Sequence, residues 1–127
     1  MSRGLRVLVV EDEAFVAMLL EEMLRDIGCE LAAALPSVSR SLAFLRSGAA
    51  IDAAILDVNL GNETSLPVAE ELRTRGIPFL FSTGYGRVRL GDKYGTTPVL
   101  QKPFQAEQLE RALMWLTDKR AWFEQPK

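Results

Sequence analysis

Glu11, Asp12, Asp57, Thr83 and Lys102 have types and spacing suited to chemistry, because each closes or directly follows a short apolar run. The acidic pair ends Leu5-Arg6-Val7-Leu8-Val9-Val10, and Asp57 ends Ile51-Asp52-Ala53-Ala54-Ile55-Leu56. Thr83 ends Ile77-Pro78-Phe79-Leu80-Phe81-Ser82, and Lys102 follows Pro98-Val99-Leu100-Gln101. If these runs are parallel strands, their C-terminal ends share one edge of the sheet, where open α/β folds place their ligands. Three carboxylates, a hydroxyl and an ammonium gathered there suit a divalent cation and a phosphoryl group. Carboxylates held that close repel one another at neutral pH. A cation relieves the repulsion, and an all-oxygen donor set favours Mg²⁺ or Mn²⁺ over zinc.

The elements that must position these groups are legible. Apolar strands alternate with helical patterns, which predicts βαβ units and a parallel sheet. Residues 13–27 place Phe15, Leu19, Met23 and Ile27 at four-residue spacing, an amphipathic helix ended by Gly28. A soft second strand over 29–35 follows, and Ser37 is a fair N-cap for a helix to about Ser47, stopped by Gly48. After Asp57 a loop over 58–65 leads into a helix over 66–75, where Pro67 suits the first turn and Gly76 the end. Asn59 and Gly61 read first as turn formers in that loop. Residues 105–116 form a clear amphipathic helix with Leu109, Leu113 and Leu116 on one face. Between 84 and 97, Gly84, Gly86, Gly91 and Gly95 interrupt the pattern, so a helix around 87–94 is poorly specified. Right-handed crossovers then give a flavodoxin-like, doubly wound, five-stranded parallel sheet in the order 2-1-3-4-5, with a short or irregular fourth helix. The first and third strands are neighbours about 4.8 Å apart, so Asp12 and Asp57 face one small volume. The fifth strand lies about 10 Å from the third, a gap an extended Lys102 largely bridges.

Composition narrows the classes. The 127 residues fit one domain, with a core over about 5–117 and a charged tail over 118–127 that carries Trp122 and Phe123. A formal charge of −2 argues against nucleic acid as the main partner, since no basic excess exists to displace counterions. The single cysteine, Cys29, forbids an internal disulfide and fits a reducing cytoplasm. No apolar stretch approaches the ~20 residues that span a bilayer, so no membrane partner is expected. With no histidine, imidazole cannot serve as base, metal ligand or phosphocarrier.

The pair Glu11-Asp12, the strand-ending Asp57, the Thr83-Gly84 step and Lys102-Pro103-Phe104 together resemble the receiver domain of bacterial two-component response regulators. The likeness runs from about Leu5 to Leu116 with all five markers in order. Singly, each residue has a plainer reading: Asp12 or Asp57 as a turn or cap, Glu11 and Lys102 as solvated charges, Thr83 as a strand terminus. Their joint placement is what is specific. The resemblance implies that Asp57 accepts a phosphoryl group from a sensor histidine kinase or a histidine phosphotransfer protein. It implies Mg²⁺ held by Asp12 directly, by Glu11 through water, by Asp57 and by the main-chain carbonyl of Asn59. Lys102 and Thr83 would contact phosphoryl oxygens, Gly84 would leave that approach open, and the Lys102-Pro103 peptide would be cis.

The chain also departs from the family pattern. Many receivers carry an aromatic residue in the last strand, and the matching position here is Val99. The run Phe81-Ser82-Thr83-Gly84-Tyr85 instead resembles a receiver subgroup marked by Phe-Ala-Thr-Gly-Tyr, with Ser82 in place of alanine. Tyr85 is then a candidate for the aromatic signalling role, the alternative being that it packs beside the loop. Residues 84–97 are expected to order when Asp57 is phosphorylated. A free-standing receiver without enzymatic output is the leading reading, signalling to an unknown downstream protein through 85–97, with Arg87, Arg89 and Lys93, or through the last helix with Trp115. A phosphate sink or a phosphate-independent binding module on the same fold are the alternatives. A haloacid-dehalogenase-type phosphatase needs an acid/base Asp two residues past the nucleophile, and that position is Asn59.

Overall fold

The structure, a computed structural model, describes residues 4–84 and 92–117. Short runs rich in Val, Ile, Leu and Phe become strands, and the central ones are buried on both faces. Along the chain come β1 (Arg6–Val10), α1 (Ala14–Asp26), β2 (Glu30–Leu35), α2 (Val38–Arg46) and β3 (Ala53–Asp57). There follow a small hairpin of β4 (Asn59–Leu60) and β5 (Glu63–Thr64), then α3 (Leu66–Thr74), β6 (Phe79–Thr83), β7 (Val99–Gln101) and α4 (Ala106–Thr117). Five strands form one sheet in the order β2-β1-β3-β6-β7, every neighbour parallel. With the hairpin set aside, this is the order expected from the sequence.

Alternation along the strands splits the core into two layers. Val7 and Val9 of β1, Ala53 and Ile55 of β3 and Leu80 of β6 pack with Leu20 and Leu24 of α1 and Leu109 and Leu113 of α4. Leu8, Val10, Ala54, Leu56, Phe79 and Phe81 face the other way, against Leu45 of α2 and Val68, Ala69 and Leu72 of α3. Every residue of β3 and β6 is buried, so the sheet centre is rigidly placed.

Several local readings hold. Ser37 caps α2 by accepting a hydrogen bond from Arg40 N at 3.3 Å, Pro67 sits in the first turn of α3, and Lys102-Pro103 is cis. Gly28 adopts φ +87° just past α1, a conformation that penalises any side chain.

Two readings need correction. The face of α1 is rotated: Phe15 and Leu19 are 70% and 40% exposed, while Leu20 and Leu24 are buried with Val16, Met23 and Ile27 against them. A strict four-residue spacing advances about 40° per step and so drifts off any one face of a 3.6-residue helix. The expected loop over 58–65 is in part the β4–β5 hairpin, with Asn59 opposite Thr64 and Gly61 at φ +64° in its turn. Of the poorly specified helix around 87–94, the described residues show a 3₁₀ turn at Asp92–Tyr94. Tyr85, Arg87, Arg89, Trp122 and Phe123 lie outside the described residues.

Candidate functional site at the C-terminal edge of the sheet

Each group at the site is delivered by a strand end. β1 and β3 pair in register, Val10 opposite Leu56, so the residues that follow, Glu11 and Asp57, emerge side by side. β6 lies beside β3 and ends in Thr83, and the main-chain N–H of Lys102 donates to the Thr83 carbonyl at 2.7 Å. That bond ties the last marker residue to the fourth strand of the constellation. The turn of the hairpin closes one side, since a Cβ on Gly61 would stand 3.8 Å from Asp12 Oδ2.

The carboxylates converge. Glu11, Asp12 and Asp57 can each offer one oxygen such that all three lie within 4.8 Å of one another. Glu11 and Asp57 are buried while Asp12 is exposed, so the trio is open on one side. Lys102 Nζ stands between the two buried acids, 3.0 Å from Glu11 Oε1 and 3.2 Å from Asp57 Oδ2. Asn59 N donates to Asp57 Oδ1 at 3.3 Å, and Glu13 N to Glu11 Oε2 at 3.2 Å. Donors thus hold both buried carboxylates in place.

Burial sets the electrostatics. Desolvation pushes the Glu11 carboxyl up to about 7, helped by the charge of Asp57 and opposed by the Lys102 hydrogen bond. For Lys102, burial acts to lower the pKa, but the Glu11 hydrogen bond and the charges of Asp57 and Glu11 prevail and raise it. The ammonium therefore stays charged well above neutral pH. A single cation serving two buried acids leaves the cluster short of positive charge, and an oxygen-only donor set of this size fits a hard divalent ion.

Thr83 is 1% exposed at the end of β6, beside this cluster. Gly84 is exposed, and a Cβ there would meet nothing within 4 Å, so the structure shows open space but no steric demand for glycine. Ser82, opposite Asp57 in register, buries a hydroxyl without a hydrogen-bond partner among the described residues. Val99 is 45% exposed and fills no inward role.

Sequence reasoning missed two features. The first is the outward patch of Phe15, Met18 and Leu19 on α1, which begins three residues after Asp12 with Phe15. Its signal was an apolar surplus on α1 too wide for one buried stripe. The second is Tyr94, 5% exposed, whose hydroxyl hydrogen-bonds Glu70 of α3. It lay within a glycine-interrupted segment that offered no periodicity to place it. A cleft of about 1000 Å³ opens at the other edge of the sheet near Ile77, Pro78, Pro98 and Trp115, away from the clustered carboxylates.

Comparison with known proteins agrees with this geometry. The sequence profile of the response regulator receiver domain matches residues 7–114. No curated protein sequence matches significantly. Among solved structures, the solution structure of SdrG from Sphingomonas melonis Fr1 is 43% identical with a TM-score of 0.79, covering 91% of this chain and 98% of that one. The BeF3-activated conformation of SdrG, from Pseudomonas melonis Fr1, is likewise 43% identical, with a TM-score of 0.76 and coverage of 92% and 99%. A response regulator receiver protein from Sinorhizobium medicae WSM419 is 26% identical with a TM-score of 0.77, covering 92% of this chain and 97% of that one. With its sheet order, its acidic edge and this matched span, the chain belongs to the response regulator receiver domain family.

Proposed function

We propose that Asp57 accepts a phosphoryl group in a Mg²⁺-dependent reaction and that the phosphorylated chain signals by binding another protein. The observation that carries this is the buried Asp57 carboxylate, held by Lys102 Nζ at 3.2 Å and sharing a 4.8 Å cluster with Glu11 and Asp12. One Asp57 oxygen attacks phosphorus, and the bond from phosphorus to the donor's imidazole nitrogen breaks, its electron pair leaving with the imidazole. Asp12, Glu11, Asp57 and the Asn59 carbonyl are the residues to hold Mg²⁺, which when bound offsets charge on the transferred oxygens. Lys102 neutralises one phosphoryl oxygen and Thr83 donates its hydroxyl to another. The chain turns over no separate substrate; phosphorylation and its loss are self-catalysed.

The donor is a histidine kinase or histidine phosphotransfer protein. Its docking face is the patch of Phe15, Met18 and Leu19, exposed at 70%, 58% and 40%. A protein donor must bring a phosphohistidine to Asp57, and this apolar surface borders the acidic edge on the first turns of α1. Placement in the Phe-Ala-Thr-Gly-Tyr subgroup is supported by the run from Phe81 to Tyr85, with Ser82 in place of the alanine.

The test is incubation with a small phosphodonor and Mg²⁺ followed by intact mass. Gain of one phosphoryl, lost on chelation of Mg²⁺ or in Asp57→Asn, is expected. Steady hydrolysis of the donor without a labelled protein, or no reaction, contradicts the proposal.

A further inference from the structure

Tyr94 touches both the face of β6 that leads to Thr83 and the surface of α3. Residues 79, 81 and 83 share one face of β6, because side chains alternate along a strand. The Tyr94 ring packs edge-to-face on that row, 5.5 Å from the Phe81 centroid at 89° and 6.2 Å from Phe79 at 64°. Thr83 is the next member of the row, about 7 Å further along the strand. At its other end Tyr94 donates its hydroxyl to Glu70 Oε2 on α3. Lys93 Nζ and Arg73 Nη1 stand 3.2 and 3.5 Å from the same oxygen, and both cations lie 6.0 Å from the Tyr94 ring centre. The ring is buried while the Glu70 side chain is 47% exposed, so a buried contact is tied to a surface one.

We infer that Tyr94 couples the phosphorylation site to the surface of α3: its hydroxyl is latched to Glu70 in the unphosphorylated chain, and engagement of Thr83 by the phosphoryl group loosens that latch. The inference rests on Asp57 being the phosphoacceptor. Its physical basis is that Thr83 follows Phe81 on the row against which the Tyr94 ring is packed, so a main-chain shift that draws Thr83 toward a phosphoryl group moves that row. Close-packed aromatic contacts shift between discrete arrangements rather than stretching smoothly. Burial, then the Glu70 hydrogen bond, pushes the Tyr94 hydroxyl up to about 12, so it remains a donor at neutral pH and the latch is closed by default. Linkage makes the coupling reciprocal: whatever weakens the latch must strengthen binding at the site by the same factor.

The experiment titrates wild type, Tyr94→Phe, Glu70→Ala and the double variant with beryllofluoride and Mg²⁺. Tyr94→Phe keeps the ring and removes only the hydroxyl. The affinity of each single variant for the mimic is expected to rise roughly three- to tenfold, about the worth of one hydrogen bond. The double variant is expected to gain no more than either single one, since both break the same contact. In wild type, the Tyr94 ring resonances are expected to shift when the mimic binds. Equal or weaker affinity in Tyr94→Phe, with wild type binding normally, overturns the coupling alone. Failure of wild type to bind the mimic overturns both the phosphoacceptor reading and the coupling.

Discussion

Two polar clusters in this molecule share a recipe and differ in depth. At the sheet edge, Glu11 meets Lys102 at 3.0 Å; on α3, Glu70 meets Lys93 at 3.2 Å. The Glu11 side chain is 1% exposed and its carboxyl is driven up to about 7 by burial. The Glu70 side chain is 47% exposed, and the hydroxyl of Tyr94 and the ammonium of Lys93 hold its carboxyl below the usual range. The same ion pair therefore yields opposite shifts. Where water is excluded, desolvation outweighs one lysine and leaves an unmet demand for positive charge; where water remains, the pair is simply comfortable. Among the described residues, only the first arrangement gathers three carboxylates that could hold a metal ion.

Removing the lysine at the buried cluster has the largest expected effect. Lys102→Met leaves two buried acids without their cation, and a loss of about 2 kcal/mol at pH 8 is expected by urea denaturation, below the range for a fully buried pair because Lys102 is 20% exposed. At pH 5 the loss shrinks, since Glu11 takes a proton instead. An unchanged urea midpoint at pH 8 breaks the contrast.

The pH response of the wild type comes next. Glu11 is raised from 4.5 to about 7, so the folded chain binds its proton more tightly than the unfolded chain. Stability is then fully present below about 4.5 and falls as pH rises toward 7. Glu11→Gln is expected to flatten that slope, and Mg²⁺ to restore stability at the upper end by binding only the folded state. A slope of the opposite sign, measured by thermal melts across the window, refutes the burial argument.

On α1 the contrast is between exposed and buried apolar groups. Phe15→Ser is expected to change stability by less than about 0.5 kcal/mol, yet to slow phosphotransfer from a cognate kinase about tenfold while labelling by a small donor is unaffected. Equal slowing with both donors points instead to damage at the site. The smallest effect belongs to Glu70→Gln, which leaves the thermal midpoint close to wild type because the amide oxygen still accepts from Tyr94 and the lost ion pairs are open to water.

The fold and the acidic edge were legible because each strand run ends on its functional residue, and strand direction alone then brings Glu11, Asp57, Thr83 and Lys102 together. The face of α1 was not, because Phe15, Met18 and Leu19 are apolar without being core, so hydropathy alone cannot choose among overlapping stripes. The β4–β5 hairpin is too short to show alternation. Tyr94 is held by tertiary contacts with Phe79, Phe81 and Glu70, which come from elements far away in the chain.

The most direct measurement is the position of the bond itself. After labelling with a small phosphodonor and Mg²⁺, borohydride cleavage of the acyl phosphate and peptide mass analysis locate the modified carboxyl. The account predicts a single site at Asp57, with Asp12, Asp52 and Glu11 untouched. Label at any other residue, or label retained in Asp57→Asn at the wild-type rate, contradicts it.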